Sequence, residues 1–371
     1  MNLVPCGDLT EFVLGDDVRL DASGYKRIVA ARRGLAEERM RSGVWRFAEL
    51  LPSVPPSAVV TLGENNVPLY DGQRGRGHAG VDRLAYLHLG MNPTGSFKDG
   101  GMTVAVSAAR ASGATAVACA STGNTAGSMA AYAARAGLDA RIVVPRGRVS
   151  RAKLAQVMEY GGRVTEVDGS FDDAFAFLKH STDDGAVVMN SVNPFRIEGQ
   201  KCAAFVMLEQ RDWSPPDWVV VPGGNLGNAS AIGKGLREAH ALGLVARVPR
   251  LAIARAVLGV RTEATAIAVG APSSRYKALR EVELGGGCMV AVRDDEIAEA
   301  KALIGREGIG CEPASAAALA AARTLRLQGT IAPDADVVCV LTGHVLKDVD
   351  YIERHRAARD AEEYATSVCA V

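Results

Sequence analysis

Lys98 lies near the end of the stretch Met91-Asn92-Pro93-Thr94-Gly95-Ser96-Phe97-Lys98-Asp99, and the small and apolar residues 100–109 after it read as a buried helix. A lysine at such a loop-to-helix junction can face a cleft with its amine against apolar walls. The ammonium is then poorly solvated, its pKa falls, and the free amine becomes a nucleophile toward an aldehyde.

Three further stretches share one design of strand, small-residue turn and helix. In an open parallel sheet such turns lie at the carboxyl ends of strands, where ligands bind. The first is Ala120-Ser121-Thr122-Gly123-Asn124-Thr125-Ala126-Gly127. There Ser121, Thr122, Asn124 and Thr125 gather with backbone N–H groups at a helix N-terminus, which suits a carboxylate. The second is Val221-Pro222-Gly223-Gly224-Asn225-Leu226-Gly227-Asn228-Ala229. Its glycines let the backbone approach an anion, and successive N–H groups form a nest for phosphate. It is neither the dinucleotide pattern nor a Walker loop, because Lys234 lies too far on and no Lys-Ser/Thr follows the glycines. A phosphate without a nucleotide is expected. The third, Leu341-Thr342-Gly343-His344, ends the last strand, with Thr342 able to bond a ring nitrogen and His344 read as a packing or capping residue. A nucleophilic lysine, a phosphate nest and a polar carboxylate loop together point to pyridoxal 5'-phosphate, an aldehyde with a phosphate handle, and to an amino-acid substrate.

The elements that must position these residues begin at about Leu84. Apolar, β-branched runs at 115–118, 141–144, 163–167 and 186–189 alternate with helical stretches at 125–136, 151–160 and 171–179. The rhythm resumes with strands at 218–221, 250–254, 289–292 and 337–341 and helices at 229–242, 294–306 and 313–327. Such alternation predicts an α/β fold of two domains, parallel-rich sheets flanked by helices and an active site in the cleft between them. The expected divisions are an N-terminal segment over 1–82, a first α/β domain over 83–205 carrying Lys98 and the carboxylate loop, and a second over 206–371 carrying the phosphate loop. Within the N-terminal segment, 21–51 has helical periodicity, 59–64 reads as a short strand, and 72–80, rich in Gly and Arg, reads as an exposed loop.

Composition narrows the function classes. Lys+Arg and Asp+Glu are equal at 42 each, so the zero net charge argues against a nucleic-acid or anionic-membrane partner. The first eight residues lack a basic and an apolar signal region, and no run approaches a membrane span, so a cytoplasmic protein is expected. The seven cysteines show no C-x-x-C pair, and Cys119 and Cys339 read as core thiols; no metal site is expected.

The motifs around Lys98, Ser121–Thr125, Gly224–Asn228 and Leu341–His344 resemble those of threonine synthases, pyridoxal phosphate enzymes of the tryptophan-synthase-β-like class (fold type II). Further matches are Asn190-Ser191-Val192-Asn193-Pro194-Phe195-Arg196-Ile197-Glu198-Gly199-Gln200-Lys201, Ala264-Thr265-Ala266-Ile267 and Cys311-Glu312-Pro313-Ala314-Ser315-Ala316, in order from about Leu62 to Asp348. The resemblance implies that Lys98 binds the cofactor as a Schiff base and shuttles protons. It implies that Asn124 meets the ring hydroxyl, Thr342 the ring nitrogen, and Gly224, Asn225, Leu226, Gly227 and Asn228 the cofactor phosphate. Ser121, Thr122 and Thr125 would bind the substrate carboxylate, and Asn190, Ser191 and Arg196 its phosphate. The implied reaction is a β,γ-replacement on O-phospho-L-homoserine giving L-threonine and phosphate; a homodimer is a separate expectation. Four positions depart from the family pattern: Val67, His88, Gly100 and Val345. They keep open a paralogue acting on another phospho-amino acid such as phosphoserine, as cysteate synthase does, or with another nucleophile. A cofactor-binding regulator without turnover is a third reading.

Overall fold

The computed structural model describes residues 1–6, 9–15, 18, 20–147, 151–181, 185–257 and 262–355. An antiparallel hairpin, β1 (Asn2–Cys6) and β2 (Leu9–Val13), precedes α1 (Ala22–Arg32) and the short α2 (Glu38–Arg41). Next come β3 (Leu69–Asp71), α3 (Gln73–Ala79), β4 (Arg83–His88) and α4 (Lys98–Ala111). The first alternating run is β5 (Ala116–Ala120), α5 (Asn124–Ala136), β6 (Asp139–Pro145), α6 (Arg151–Glu159), β7 (Arg163–Val167), α7 (Phe171–His180) and β8 (Val187–Val188). After α8 (Pro194–Glu209) the second run comprises β9 (Trp218–Pro222), α9 (Gly227–Ala241), β10 (Arg250–Ala256), α10 (Arg275–Leu284), β11 (Cys288–Val292), α11 (Asp294–Arg306), α12 (Pro313–Leu327) and β12 (Asp336–Leu341).

The strands form a parallel four-stranded sheet, β7-β6-β5-β8, and a six-stranded sheet, β11-β10-β9-β12-β4-β3, parallel except for the edge strand β3. The expected α/β architecture is therefore present, and Cys119 and Cys339 are core thiols with no exposure. The sheets divide the chain differently from the expected boundaries at 82 and 205. β4 pairs with β12 from Asp336↔Arg83 to Leu341↔His88, so 69–88 join the sheet of the second half, while the four-stranded sheet spans 116–188. A boundary drawn from local composition cannot sense this pairing, because parallel partners may lie far apart in sequence.

Two local expectations also need correction. The 72–80 stretch is the helix α3, ended by Gly80 at φ +74°. The two glycines inside it weaken the helical signal, yet a side chain at Gly75 would overlap the Tyr86 hydroxyl, so the glycine lets the helix lie on the sheet. The 59–64 stretch is not a strand: Val60 N donates to Ser107 Oγ (2.8 Å) and Val60 O accepts from Thr103 Oγ1 (2.6 Å), so α4 side chains replace a strand partner. Helical periodicity over 21–51 resolves into α1, α2 and a 3₁₀ turn at Trp45–Leu50.

In each large sheet one strand sits where the order reverses: β5 between β6 and β8, and β9 between β10 and β12. The turns after β5, β9 and β12 are the three motif loops, which is where such sheets leave a crevice. Among the described residues no helix is long and apolar enough to cross a membrane.

Candidate active site

Lys98 is the first residue of α4 and is half-buried. Asp99 beside it ties that turn down, accepting from Thr94 N (2.7 Å), Thr94 Oγ1 (2.5 Å) and Ser128 Oγ (2.5 Å). Phe97 N donates to Thr342 O (2.9 Å), fixing the lysine loop to the end of β12. Gly95, at φ +82°, makes the turn that a residue with a side chain would strain. Burial pushes the Lys98 amine from 10.5 down to about 7; the Arg196 charge adds to the fall and Glu312 opposes it. Half the amine is then free near neutrality, as nucleophilic attack on an aldehyde requires.

Three helices begin around Gly227. It opens α9, and a side chain there would meet Ile197 of α8 and the Ser274 hydroxyl ahead of α10. Leu226 adopts a left-handed conformation (φ +62°) ahead of α9, and no side chain caps that helix among the described residues. Its first N–H groups and helix dipole thus remain available to an anion. Gly224 must be glycine, since any side chain would overlap the Ala266 carbonyl oxygen. Asn228 is 6% exposed, and among the described residues neither side-chain amide atom has a partner. That is costly unless a ligand completes it.

Arg196, in the first turn of α8, is 2% exposed and donates to Met189 O (2.9 Å), leaving its buried Nε without a partner among the described residues. Burial lowers its pKa to about 10, so the charge persists at neutral pH. Ser191 Oγ lies 3.1 Å from Ser273 Oγ. Asn190 behaves differently from a free ligand: its amide bonds both the N and the O of Ala120 (3.1 and 2.9 Å), bracing the carboxylate loop.

Ser121, Asn124 and Thr125 line the same cavity of about 220 Å³ as Lys98, Asn190, Ser191, Arg196, the 224–228 loop and Thr342. Thr122 instead lines an adjoining cavity of about 690 Å³ that shares Gly123, Asn124 and Glu312. Thr342 is buried, with Oγ1 3.1 Å from Ser315 Oγ. His344 caps the turn after it, accepting from Leu346 N (3.2 Å). Sequence reasoning gave no role to Glu312 or Ser315, although both lie in a matched motif. Glu312 accepts from Asn124 Nδ2 (3.1 Å), and Ser315 Oγ accepts from the backbone N of Thr342 and of Gly343 (2.9 Å each).

The four departures lie outside the lining of the Lys98 cavity. Val67 is in the core; His88 Nε2 bonds Gly310 O (2.8 Å). Val345 fills the space beside Gly310, and Gly100 backs onto the Asn65 side chain.

These residues fit pyridoxal phosphate: an amine that is free near neutrality, and an uncapped helix start with an unpartnered buried amide that an anion would complete. Comparison with known proteins agrees. The family model described as pyridoxal-phosphate dependent enzyme matches residues 60–343. The chain is 42% identical over 340 residues to the threonine synthase of Methanocaldococcus jannaschii, covering 85% of this chain and 84% of that one. It is 41% identical over 321 residues to that of Mycobacterium tuberculosis, covering 82% and 88%. Among solved structures, tomato threonine deaminase isoform 2 superposes with a TM-score of 0.68 at 19% identity, covering 96% of this chain and 92% of that one. Maize serine racemase gives 0.67 at 19%, covering 80% and 93%; at such identities the likeness is one of fold. The chain belongs to the pyridoxal-phosphate dependent enzyme family and, within it, to the threonine synthases.

Proposed function

We propose that this protein converts O-phospho-L-homoserine and water to L-threonine and phosphate. The observation that carries the reading is the cavity that gathers a depressed-pKa lysine with two separate anion-binding sets, one at the start of α9 and one at the start of α8. Pyridoxal phosphate, when bound, supplies an aldehyde for an amine and an electron-withdrawing ring for carbanion chemistry.

The chain's own residues do the rest. The 224–228 loop holds the cofactor phosphate, and Asn124 and Thr342 orient the ring. Ser121 and Thr125 hold the substrate carboxylate, while Thr122 of the same loop faces the adjoining cavity. Ser191 and Arg196 hold the substrate phosphate, with Asn190 keeping the carboxylate loop in register. Lys98 Nζ takes the proton from Cα, gives it up to the cofactor, which would store it, and is then free to take one from Cβ, a general-base role worth about 10²–10⁴-fold. Arg196 stabilises the charge that builds on the phosphate as it leaves Cγ. Cγ then gains a proton, water adds its hydroxyl at Cβ, Cα regains a proton, and the remaining proton leaves with the phosphate. We extend the proposal to a cytoplasmic homodimer, to be checked by cell fractionation and sedimentation.

Purified protein with pyridoxal phosphate should release L-threonine and phosphate from O-phosphohomoserine, and far less phosphate from O-phosphoserine. No threonine from the first substrate overturns the reading. Efficient turnover of the second would favour the paralogue.

A further inference from the structure

Glu312 stands just ahead of Pro313 at the start of α12, where a glutamate ordinarily caps its own helix or faces water. It does neither: it is 6% exposed and makes no side-chain capping bond. Its backbone N donates to Gly343 O (3.0 Å), and a side chain at Gly343 would collide with its carboxylate. The group is held in one place. From there Oε2 accepts from Asn124 Nδ2 at 3.1 Å, and Oε1 lies 3.5 Å from Thr342 Oγ1. Glu312 also lines both cavities.

We propose that Glu312 is a positioning residue of the cofactor site, fixing the amide of Asn124 and steadying the hydroxyl of Thr342. This rests on the cofactor part of the reading above. An asparagine amide is nearly symmetrical in shape, so its two ends exchange readily unless a partner distinguishes them. A carboxylate accepts and does not donate, so it holds Nδ2 toward itself. The second Nδ2 hydrogen is then the donor offered to an oxygen in the cavity. Without Glu312 the amide can turn and present Oδ1, which repels such an oxygen. Thr342 has a second anchor in Ser315 and depends on Glu312 less.

The test is a double-mutant cycle on cofactor affinity. Apoprotein is titrated with pyridoxal phosphate and the visible Schiff-base band gives Kd for the wild type, Glu312→Ala, Asn124→Ala and the double variant, with thermal midpoints alongside. Each single variant should weaken binding roughly ten- to a hundredfold, the size of a hydrogen bond to a charged group. The double variant should be no worse than the weaker single one, because Glu312 acts through Asn124. Glu312→Gln, which keeps the shape but can offer either end of an amide, should lose only a few-fold. Additive losses, or an unchanged Kd in Glu312→Ala, overturn the inference. If Glu312→Ala does not fold, the cycle of Glu312→Gln with Asn124→Ala decides by the same criterion of additivity. A wild-type protein with no band, or a band that survives in Lys98→Ala, overturns the cofactor reading itself and the inference with it.

Discussion

At the scale of residues, Lys98 owes its chemistry to its surroundings. An ordinary lysine amine is protonated below about 10.4, whereas here burial and the Arg196 charge bring the value to about 7. A depressed amine is free above its pKa and lost below it. Capture of pyridoxal phosphate by the apoprotein should therefore rise with pH through about 7, and a midpoint near that of a free lysine would contradict this account. Lys98→Ala should remove the visible band altogether. Arg196 makes a different prediction. Replacing it with alanine should raise KM for the phospho-amino acid roughly ten- to a hundredfold, as for a lost charged hydrogen bond, with cofactor affinity little changed. Loss of cofactor instead would mean that the two anion sites were assigned the wrong way round. Lys98 and both glycine and hydroxyl loops are legible in the sequence because each is a contiguous motif. Glu312 is not, since its partner Asn124 lies 188 positions away.

At the scale of elements, the site depends on how closely α4 and α8 approach. Both helices begin at the cavity, with Lys98 on one and Arg196 on the other. They touch through glycines: a side chain at Gly199 would overlap the Gly100 carbonyl oxygen, and one at Gly101 would come within 2.7 Å of Arg196 O. Gly199→Ala should force the helices apart, costing about 1–3 kcal/mol of stability, as overpacking does. It should also lower kcat, because a displacement of about 1 Å can cost 10²-fold. Denaturant unfolding and turnover of the same variant check both halves. The contact also gives Gly100 a local setting. A side chain there would press on the Asn65 amide, 2.9 Å away, and Asn65 takes a left-handed φ of +59° beside it. The helix rhythm was readable from the sequence, but which helix faces touch was not.

At the scale of the whole molecule, α8 and α9, which both begin at the cavity, are bolted together along their length by buried charge. Lys201 pairs with Glu198 (2.6 Å) on α8 and with Glu238 (2.7 Å) on α9, and Lys234 pairs with Glu198. Equal numbers of buried cations and anions avoid the large penalty of a lone buried ion. The N-terminal hairpin closes this network. The Phe12 carbonyl accepts from Lys234, the Thr10 carbonyl accepts from Lys277 Nζ (2.6 Å), and Glu11 pairs with Arg280 (2.5 Å). Deleting residues 1–13 would leave two buried ammonium groups each short of an acceptor, at about 1–3 kcal/mol apiece. The melting midpoint should fall by several degrees, while the Schiff-base band persists; an unchanged midpoint would show that the hairpin is not part of the folded core. Nothing in the hairpin's own sequence announces this role.

The sequence by itself determined the alternating strands and helices, the lysine at a loop-to-helix junction, the small-residue loop ahead of α9 and the cofactor they imply. These rest on local patterns: the period of apolar residues, small residues at turns, and contiguous motifs. Only the tertiary structure decided that β4 belongs with β12, that the arginine-rich stretch at 72–80 is a helix seated on Tyr86, that Asn190 spends its amide on Ala120, and that Glu312 reaches Asn124. Each of those depends on residues far apart in the chain meeting through burial and hydrogen-bond completion, and such pairings are set by the packing of the whole fold, not by any neighbouring residue.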